Sequence, residues 1–266
     1  MLSKLSALVC VRNEEARLAA CLQRLAFCDE VVVVADRCTD RSEIVARELG
    51  ATVISGIWPL EGQRRAAGAA ACTGDWILEI DADEEVGPDL AREIVARIAV
   101  ERGDFVSVPV DNYVGERLVR HGWGGSFGTS AVTRLFRKGV KTWGAERVHP
   151  TVRFSGAAGG ALLHPLLHRV DDNISDMWAR LDRYSRLRAQ DLSEAGKRPG
   201  LWSNAFRGVR RFFKCYVTRK GYREGDWGVI IALCAALYPL LSALRVRLEP
   251  ASLAPVSQVL PLRAQA

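Results

Sequence analysis

An α/β chain built on a mostly parallel sheet with helices on both faces is predicted by three observations. The first 110 residues alternate short apolar runs with segments of helical spacing. Several of those runs are continuous rather than alternating, as strands buried on both faces require. The composition, 48% hydrophobic and 26% charged over 266 residues, is that of a folded chain with a sizeable core and excludes disordered, collagen-like and disulfide-framework classes.

The elements follow in order. Leu5 to Val11 reads as a strand, and Leu18, Leu22 and Leu25 then recur at helical spacing with Asn13 able to cap. Val31 to Val34 is a second strand. Cys38-Thr39-Asp40 forms a loop and cap, a helix passes through Ile44, Val45 and Leu49, and Thr52 to Ile54 is a short strand. Residues 61–72 are Ala-rich and helical, stopped by Gly74. Trp76 to Ile80 is another buried strand, Pro88 opens a helix with Leu90, Ile94 and Ile98 on one face, and Phe105 to Val110 closes the series. Beyond it lie Gly-rich turns, a strand-like Val132 to Phe136, runs around Val148 and at Leu162 to Leu167, and a charged amphipathic helix over 171–195.

The net charge of +6 is a compromise between unequal parts. Residues 1–116 carry 12 Lys/Arg and 21 Asp/Glu, whereas residues 117–266 carry 25 and 10. A basic segment of that kind faces polyanions or is simply a solvated surface. The seven cysteines form no CxxC pair, which argues against a disulfide framework or zinc site and favours a reducing compartment. Residues 1–11 flow into Arg12-Asn13-Glu14-Glu15 and read as a strand, not an export signal.

In parallel sheets ligands bind beyond the carboxyl ends of the strands. Three polar sets occupy those places: Arg12 to Glu15, Asp36 to Asp40, and Asp81 to Glu85. Asp81-Ala82-Asp83 sets two carboxylates about one small residue at the end of a buried strand, a ligand pattern for Mg²⁺ or Mn²⁺, although acidic turns are also common on surfaces. Asp36 can accept from a ribose hydroxyl or a base N–H, and Asp40 either does so or caps the following helix. There is no GxGxxG and no GxxxxGK[ST], so phosphate charge must be met by metal and basic side chains.

Four blocks, Val11-Arg12-Asn13-Glu14-Glu15, Val31 to Asp40, Gly62-Gln63-Arg64-Arg65 and Gly74 to Glu84, resemble the family 2 glycosyltransferases of GT-A fold in order and spacing. Arg134 to Gly139, Val148-His149, Asp182 to Ser185 and the basic stretch before an apolar segment look like the lipopolysaccharide core glucosyltransferase branch. The resemblance implies inverting transfer of a sugar from a nucleotide-diphosphate donor, a UDP-sugar first, to a lipid-linked or saccharide acceptor. It places Arg12, Glu14, Asp36, Arg64 and Asp81 at the donor, and Asp81 and Asp83 at a divalent cation, Mg²⁺ or Mn²⁺. Arg120 and His121 fall on the acceptor or diphosphate side, with a loop-turn role as the alternative for His121.

The acceptor hydroxyl must lose a proton to a nearby carboxylate or His. Where related sequences carry Val-His-Glu this one has Val148-His149-Pro150, so Glu146 and His149 are the candidate bases, each with a structural reading beside it. Pro150 also makes a binding protein without catalysis an alternative. His164 and His168 flank Pro165-Leu166-Leu167 and read as packing or surface residues.

Residues 207–223 hold seven Lys/Arg and no acid, and 227–244 are eighteen uncharged residues interrupted by Pro239. The pair predicts an anionic membrane surface as partner, with an interfacial or re-entrant anchor on the cytoplasmic face of the inner membrane, a single span being the alternative. A nucleic-acid binder is the lesser reading, since no recognition module is present and the apolar run favours lipid; no nucleic-acid partner is expected. The expected organisation is a GT-A domain over 1–170, divided into a donor half at 1–110 and an acceptor half at 111–170. A helical membrane-associating region over 171–249 and a loose tail over 250–266 follow.

Overall fold

The computed structural model describes residues 3–124, 127–147 and 150–249, in two compact units. The first comprises residues up to Arg120 together with Gly128–Asn173, and the second His121–Phe127 with the chain from Ile174 onward.

The first unit begins with β1 (Leu5–Val11), α1 (Glu15–Gln23), β2 (Glu30–Asp36), α2 (Ser42–Glu48), β3 (Thr52–Gly56), α3 (Glu61–Ala71), β4 (Trp76–Ile80), the short β5 (Glu84–Glu85) and α4 (Pro88–Val100). It continues with β6 (Phe105–Val114), β7 (Arg117–Val119), β8 (Ala131–Arg137), β9 (Lys141–Trp143), β10 (Val152–Phe154), β11 (Ala158–Ala161) and β12 (Leu166–Asp171). The main sheet runs β3-β2-β1-β4-β8-β6-β12-β5, with β7 and β11 also paired to β6, and β9 and β10 form a separate hairpin. Strands β1 to β4 are mutually parallel, β8 enters antiparallel between β4 and β6, and β6 and β12 are again parallel. This is the mostly parallel sheet the sequence predicts.

Period-two alternation along β1 divides the core. Leu5, Ala7, Val9 and Val11 face a layer made by Leu18 and Leu22 of α1, Ala46 of α2 and Leu90, Ile94 and Ile98 of α4. Leu8 and Cys10 face the other side, where Ala69 of α3 is joined by Trp143 and Phe154 of the hairpin. The second layer is close-packed through glycine. A Cβ on Gly62 at the start of α3 would lie 2.4 Å from the Gly144 carbonyl oxygen and 2.9 Å from Trp143, so only glycine lets the loop after β9 approach this helix.

Three local expectations change. Asn13 does not cap α1; it takes a left-handed conformation, φ 59°, and its side chain bonds the next loop. The helix read through Ile44, Val45 and Leu49 ends at Glu48, with Ile44 and Leu49 exposed and Ser42 and Ala46 as its buried positions. Gly74 acts by close approach, since the helix has already ended and a Cβ there would meet Ser6.

The second unit contains α5 (Ile174–Glu194), α6 (Leu201–Phe213), a π-helical turn at Lys214–Thr218, a 3₁₀ turn at Gly221–Glu224, and α7 (Asp226–Leu248). Met177, Leu181, Ser185 and Ala189 form the buried stripe of α5. Arg245 of α7 reaches both Asp182 and Ser185 of that helix. Helices α6 and α7 meet at backbone distance, a Cβ on Gly208 lying 2.6 Å from the Ala236 carbonyl oxygen.

Candidate active site

Strands β2, β1 and β4 are adjacent and parallel, so the three polar sets at their carboxyl ends share one edge of the sheet. The first two sets are tied together. Asn13 Oδ1 accepts the Thr39 N–H at 2.8 Å, the Glu14 N–H donates to Ser42 Oγ at 2.9 Å, and the Arg41 N–H donates to Glu15 at 2.8 Å. Asp40 accepts the N–H groups of both Glu15 and Ser42 at 3.0 Å, so it joins the N-termini of α1 and α2.

Asp36 is buried and already engaged. Arg37, itself left-handed at φ 54°, grips it bidentately through Nε at 2.9 Å and a terminal nitrogen at 2.7 Å, while the Trp58 N–H donates at 3.1 Å. Burial alone would raise this carboxyl, but the Arg37 and Trp58 hydrogen bonds and the charge of Arg37 and Arg64 outweigh it and hold it below the ordinary range. Arg64 stands 3.9 Å from Asp36, and its Nε is buried with no hydrogen-bond partner. A guanidinium donor with no protein acceptor, at the carboxyl ends of the parallel strands, is compatible in charge with an anionic ligand. Arg12 is exposed at the end of β1.

Beneath the third set lies a buried ionic network. Glu79 on β4 pairs with Arg65 of α3, Arg134 of β8 and Lys141 of β9. Asp81 gives one oxygen to Arg65 at 3.0 Å and the other to Arg134. Its burial would raise the carboxyl, but Arg134 and Arg65 overcome this and keep it far below the usual carboxylate range. Glu84 accepts the Asp81 N–H at 2.9 Å and also meets Arg134. Burial lifts the Glu84 carboxyl above its ordinary value, with Arg134 opposing and the Asp81 charge adding.

Asp83 differs from Asp81. Its carboxylate is partly exposed and lies 3.5 Å from Nε2 of His168, which β12 delivers by pairing antiparallel with β5, His168 opposite Glu84. On the other side of its ring, His168 Nδ1 is 2.9 Å from Oδ1 of buried Asn112, its register partner on β6. Asn112 donates its amide to the Thr129 carbonyl at 2.8 Å, which orients Oδ1 toward the ring as acceptor. With Nδ1–H donated to Asn112, Nε2 faces Asp83, pairing with that carboxylate when protonated and able to ligate a cation when not, as an imidazole backed by an oxygen acceptor does. Burial would lower its pKa, but the hydrogen bond and charge of Asp83 together with Glu84 and Asp81 raise it.

This donor set fits a hard divalent cation at Asp83 and His168, with substrate oxygens and water completing the shell. It fits poorly at Asp81, whose two oxygens are held by guanidinium groups. Among the described residues no cluster of three or more His, Cys, Asp or Glu forms a metal cage.

The remaining expected residues are scattered. Glu146 gives both oxygens to Thr151, accepting its N–H at 3.0 Å and its hydroxyl at 2.6 Å, and so closes its own loop. His149 lies outside the described residues. Arg120 is exposed at the end of β7. His121 belongs to the second unit, where its N–H donates to Glu224 at 2.9 Å. Sequence reasoning passed over His168, Asn112 and the role of Arg134, because each acquires its partner only through strand register.

Comparison with known proteins agrees with this architecture. The family model for glycosyl transferase family 2 matches residues 6–147. The lipopolysaccharide core biosynthesis glycosyltransferase LpsC of Rhizobium meliloti is 27% identical over 260 residues, covering 91% of each chain. An uncharacterized glycosyltransferase of Rickettsia bellii is 27% identical over 255 residues, covering 92% of this chain and 86% of that one. Among solved structures, Staphylococcus aureus TarS 1–349 aligns over 92% of this chain and 91% of its own at 12% identity and a TM-score of 0.49. With residues 6–147 matched and relatives spanning nearly its whole length, the chain belongs to glycosyl transferase family 2, has a GT-A-like fold, and is a glycosyltransferase resembling the lipopolysaccharide core branch.

Proposed function

We propose that the chain moves a sugar from a nucleotide-diphosphate donor, a UDP-sugar, to a lipid-linked or saccharide acceptor of the lipopolysaccharide core, with inversion, at an anionic membrane surface. The relation to LpsC supports the acceptor class. The observation that carries the donor reading is the Asp83–His168 pair, backed by Asn112, at the carboxyl ends of the strands where Arg64 stands beside Asp36.

In this reading Asp83 and His168 hold Mg²⁺ or Mn²⁺. When bound, such a cation supplies Lewis-acid stabilisation of the departing diphosphate. Arg64 meets phosphate oxygen through the exposed part of its guanidinium, and the residual acceptor capacity of Asp36 takes a hydrogen bond from the nucleoside. Arg12 and Glu14 line the same edge. Asp81 acts through the backbone: clamped by Arg65 and Arg134, it fixes the turn that presents Asp83. Glu146 braces Thr151 rather than taking the acceptor proton, and Arg120 is assigned to the acceptor side.

Thermal unfolding with a panel of nucleotide sugars, each with and without Mn²⁺, tests the donor class, since a ligand of the native state raises the melting temperature. A UDP-sugar is expected to give the largest cation-dependent rise. No rise with any donor contradicts the reading.

A further inference from the structure

The second unit carries an apolar face that its own packing leaves bare. On α6, Asn204 and Gly208 turn inward against α7, and Cys215 continues that line in the π-helical turn. The opposite side is a stripe of Trp202, Phe206, Val209 and Phe213, at helical intervals of four, three and four residues. These side chains are 85%, 71%, 55% and 58% exposed. An unpartnered stripe of three aromatics and a valine is costly in water and marks a contact surface. Arg207, Arg210 and Lys214 line one flank, and Phe212 and Ala205 the other.

Charge and shape together select the occupant. Cations beside an aromatic stripe on a single helix are the pattern of an element lying in a bilayer interface, with its apolar side among acyl chains and its cations at anionic headgroups.

Helix α7 is the more obvious candidate by composition, since its 23 residues include an eighteen-residue window of mean hydropathy 2.1. Its neighbours argue otherwise. It packs against α5, which bears Asp182, Arg183, Arg186, Arg188 and Asp191, and Arg245 of α7 is itself paired to Asp182. The Arg211 guanidinium lies over the Tyr238 ring, 5.6 Å from its centroid. Sinking α7 through hydrocarbon would carry these charges with it, at heavy desolvation cost.

We infer that α6 is an in-plane membrane-docking helix, inserting Trp202, Phe206, Val209 and Phe213 into an anionic leaflet while α7 serves as its packing support. This deepens the membrane placement proposed above and rests on no step of the sugar chemistry.

The test is co-sedimentation of the full chain with phosphatidylcholine vesicles and with mixed phosphatidylcholine–phosphatidylglycerol vesicles. Binding is expected to the mixed vesicles and to weaken with added salt. The Trp202→Ser/Phe206→Ser variant, whose changes are both at exposed positions, is expected to bind about tenfold more weakly. Its far-ultraviolet circular dichroism and its stabilisation by nucleotide sugar should stay unchanged. Arg207→Gln/Arg210→Gln is expected to lose the preference for the anionic lipid. Undiminished binding by the aromatic variant overturns the proposal. So does membrane retention of the native chain through alkaline carbonate extraction, which indicates a spanning α7. Failure to bind vesicles, accompanied by a dimer that the aromatic variant dissociates, assigns the stripe to a second copy instead. Each of these results leaves donor binding to be read separately.

Discussion

His168 Nε2 lies 3.5 Å from Asp83 Oδ2 while its Nδ1 meets Asn112 Oδ1 at 2.9 Å, so one imidazole links the acidic turn after β4 to the interior of the sheet. If this pair holds the cation, Asn112 is a positioning residue. Asn112→Leu removes the oxygen that fixes the tautomer and is expected to weaken the apparent Mn²⁺ affinity by about 10–100-fold. His168→Ala should abolish Mn²⁺-dependent donor stabilisation. Titration of the melting temperature against Mn²⁺ at fixed donor checks both.

Arg134 is the hub of the buried network, touching Glu79, Asp81 and Glu84. Arg134→Met takes the paired cation from buried Glu84 while Glu79 and Asp81 keep Arg65, and is expected to cost about 3–5 kcal/mol of stability, the scale for breaking a buried ion pair. Arg134→Lys keeps the charge but loses the planar fork and should fall between. Urea unfolding midpoints measure the series.

Glu146 and Thr151 separate two roles for the expected base. A structural Glu146 predicts that Glu146→Gln and Thr151→Val both act mainly and mildly on acceptor KM, because Gln keeps one accepting oxygen and Val removes the hydroxyl contact while leaving the Thr151 N–H bond. A general base predicts a loss in kcat of about 10²–10⁴ for Glu146→Gln with Thr151→Val nearly silent. Steady-state kinetics against acceptor concentration decides between them.

Acid should destabilise the first unit in a definite direction. Glu30, Asp36 and Glu93 are each opposed by burial, yet hydrogen bonds hold their carboxyls below the ordinary range: Ser6, Thr73 and Gly74 on Glu30, Arg37 and Trp58 on Asp36, and Leu163 and His164 on Glu93. A lowered native pKa means the unfolded chain binds protons first as pH falls. The contribution is therefore complete above the unfolded value of roughly 4 and is lost as pH drops through it toward the native value. Melting temperature against pH should fall steeply below that point, and less steeply in Asp36→Asn.

Much of this was legible before any coordinates. The runs at Leu5 to Val11, Val31 to Val34 and Trp76 to Ile80 are buried strands because continuous apolar sequence has no other stable place in a sheet covered on both faces. Leu90, Ile94 and Ile98 face the core as their spacing predicts. The direction of β8 was not legible, since alternation fixes which face a residue takes but not the sense of the strand. His168 was hidden for the same reason: only the pairing of β12 with β5 brings it to Asp83. In the basic region, hydropathy alone singles out α7, whereas the most exposed aromatic side chains, Trp202 and Phe206, belong to α6.

If Asp83 holds the cation, donor binding depends on that carboxylate. The most direct measurement is calorimetric titration of a UDP-sugar in the presence and absence of Mn²⁺, on the native chain and on Asp83→Ala. Mn²⁺-enhanced binding is expected in the native chain and no Mn²⁺ effect in Asp83→Ala, with the melting temperature of the unliganded variant close to native. Equal Mn²⁺ enhancement in the two proteins would contradict that role for Asp83.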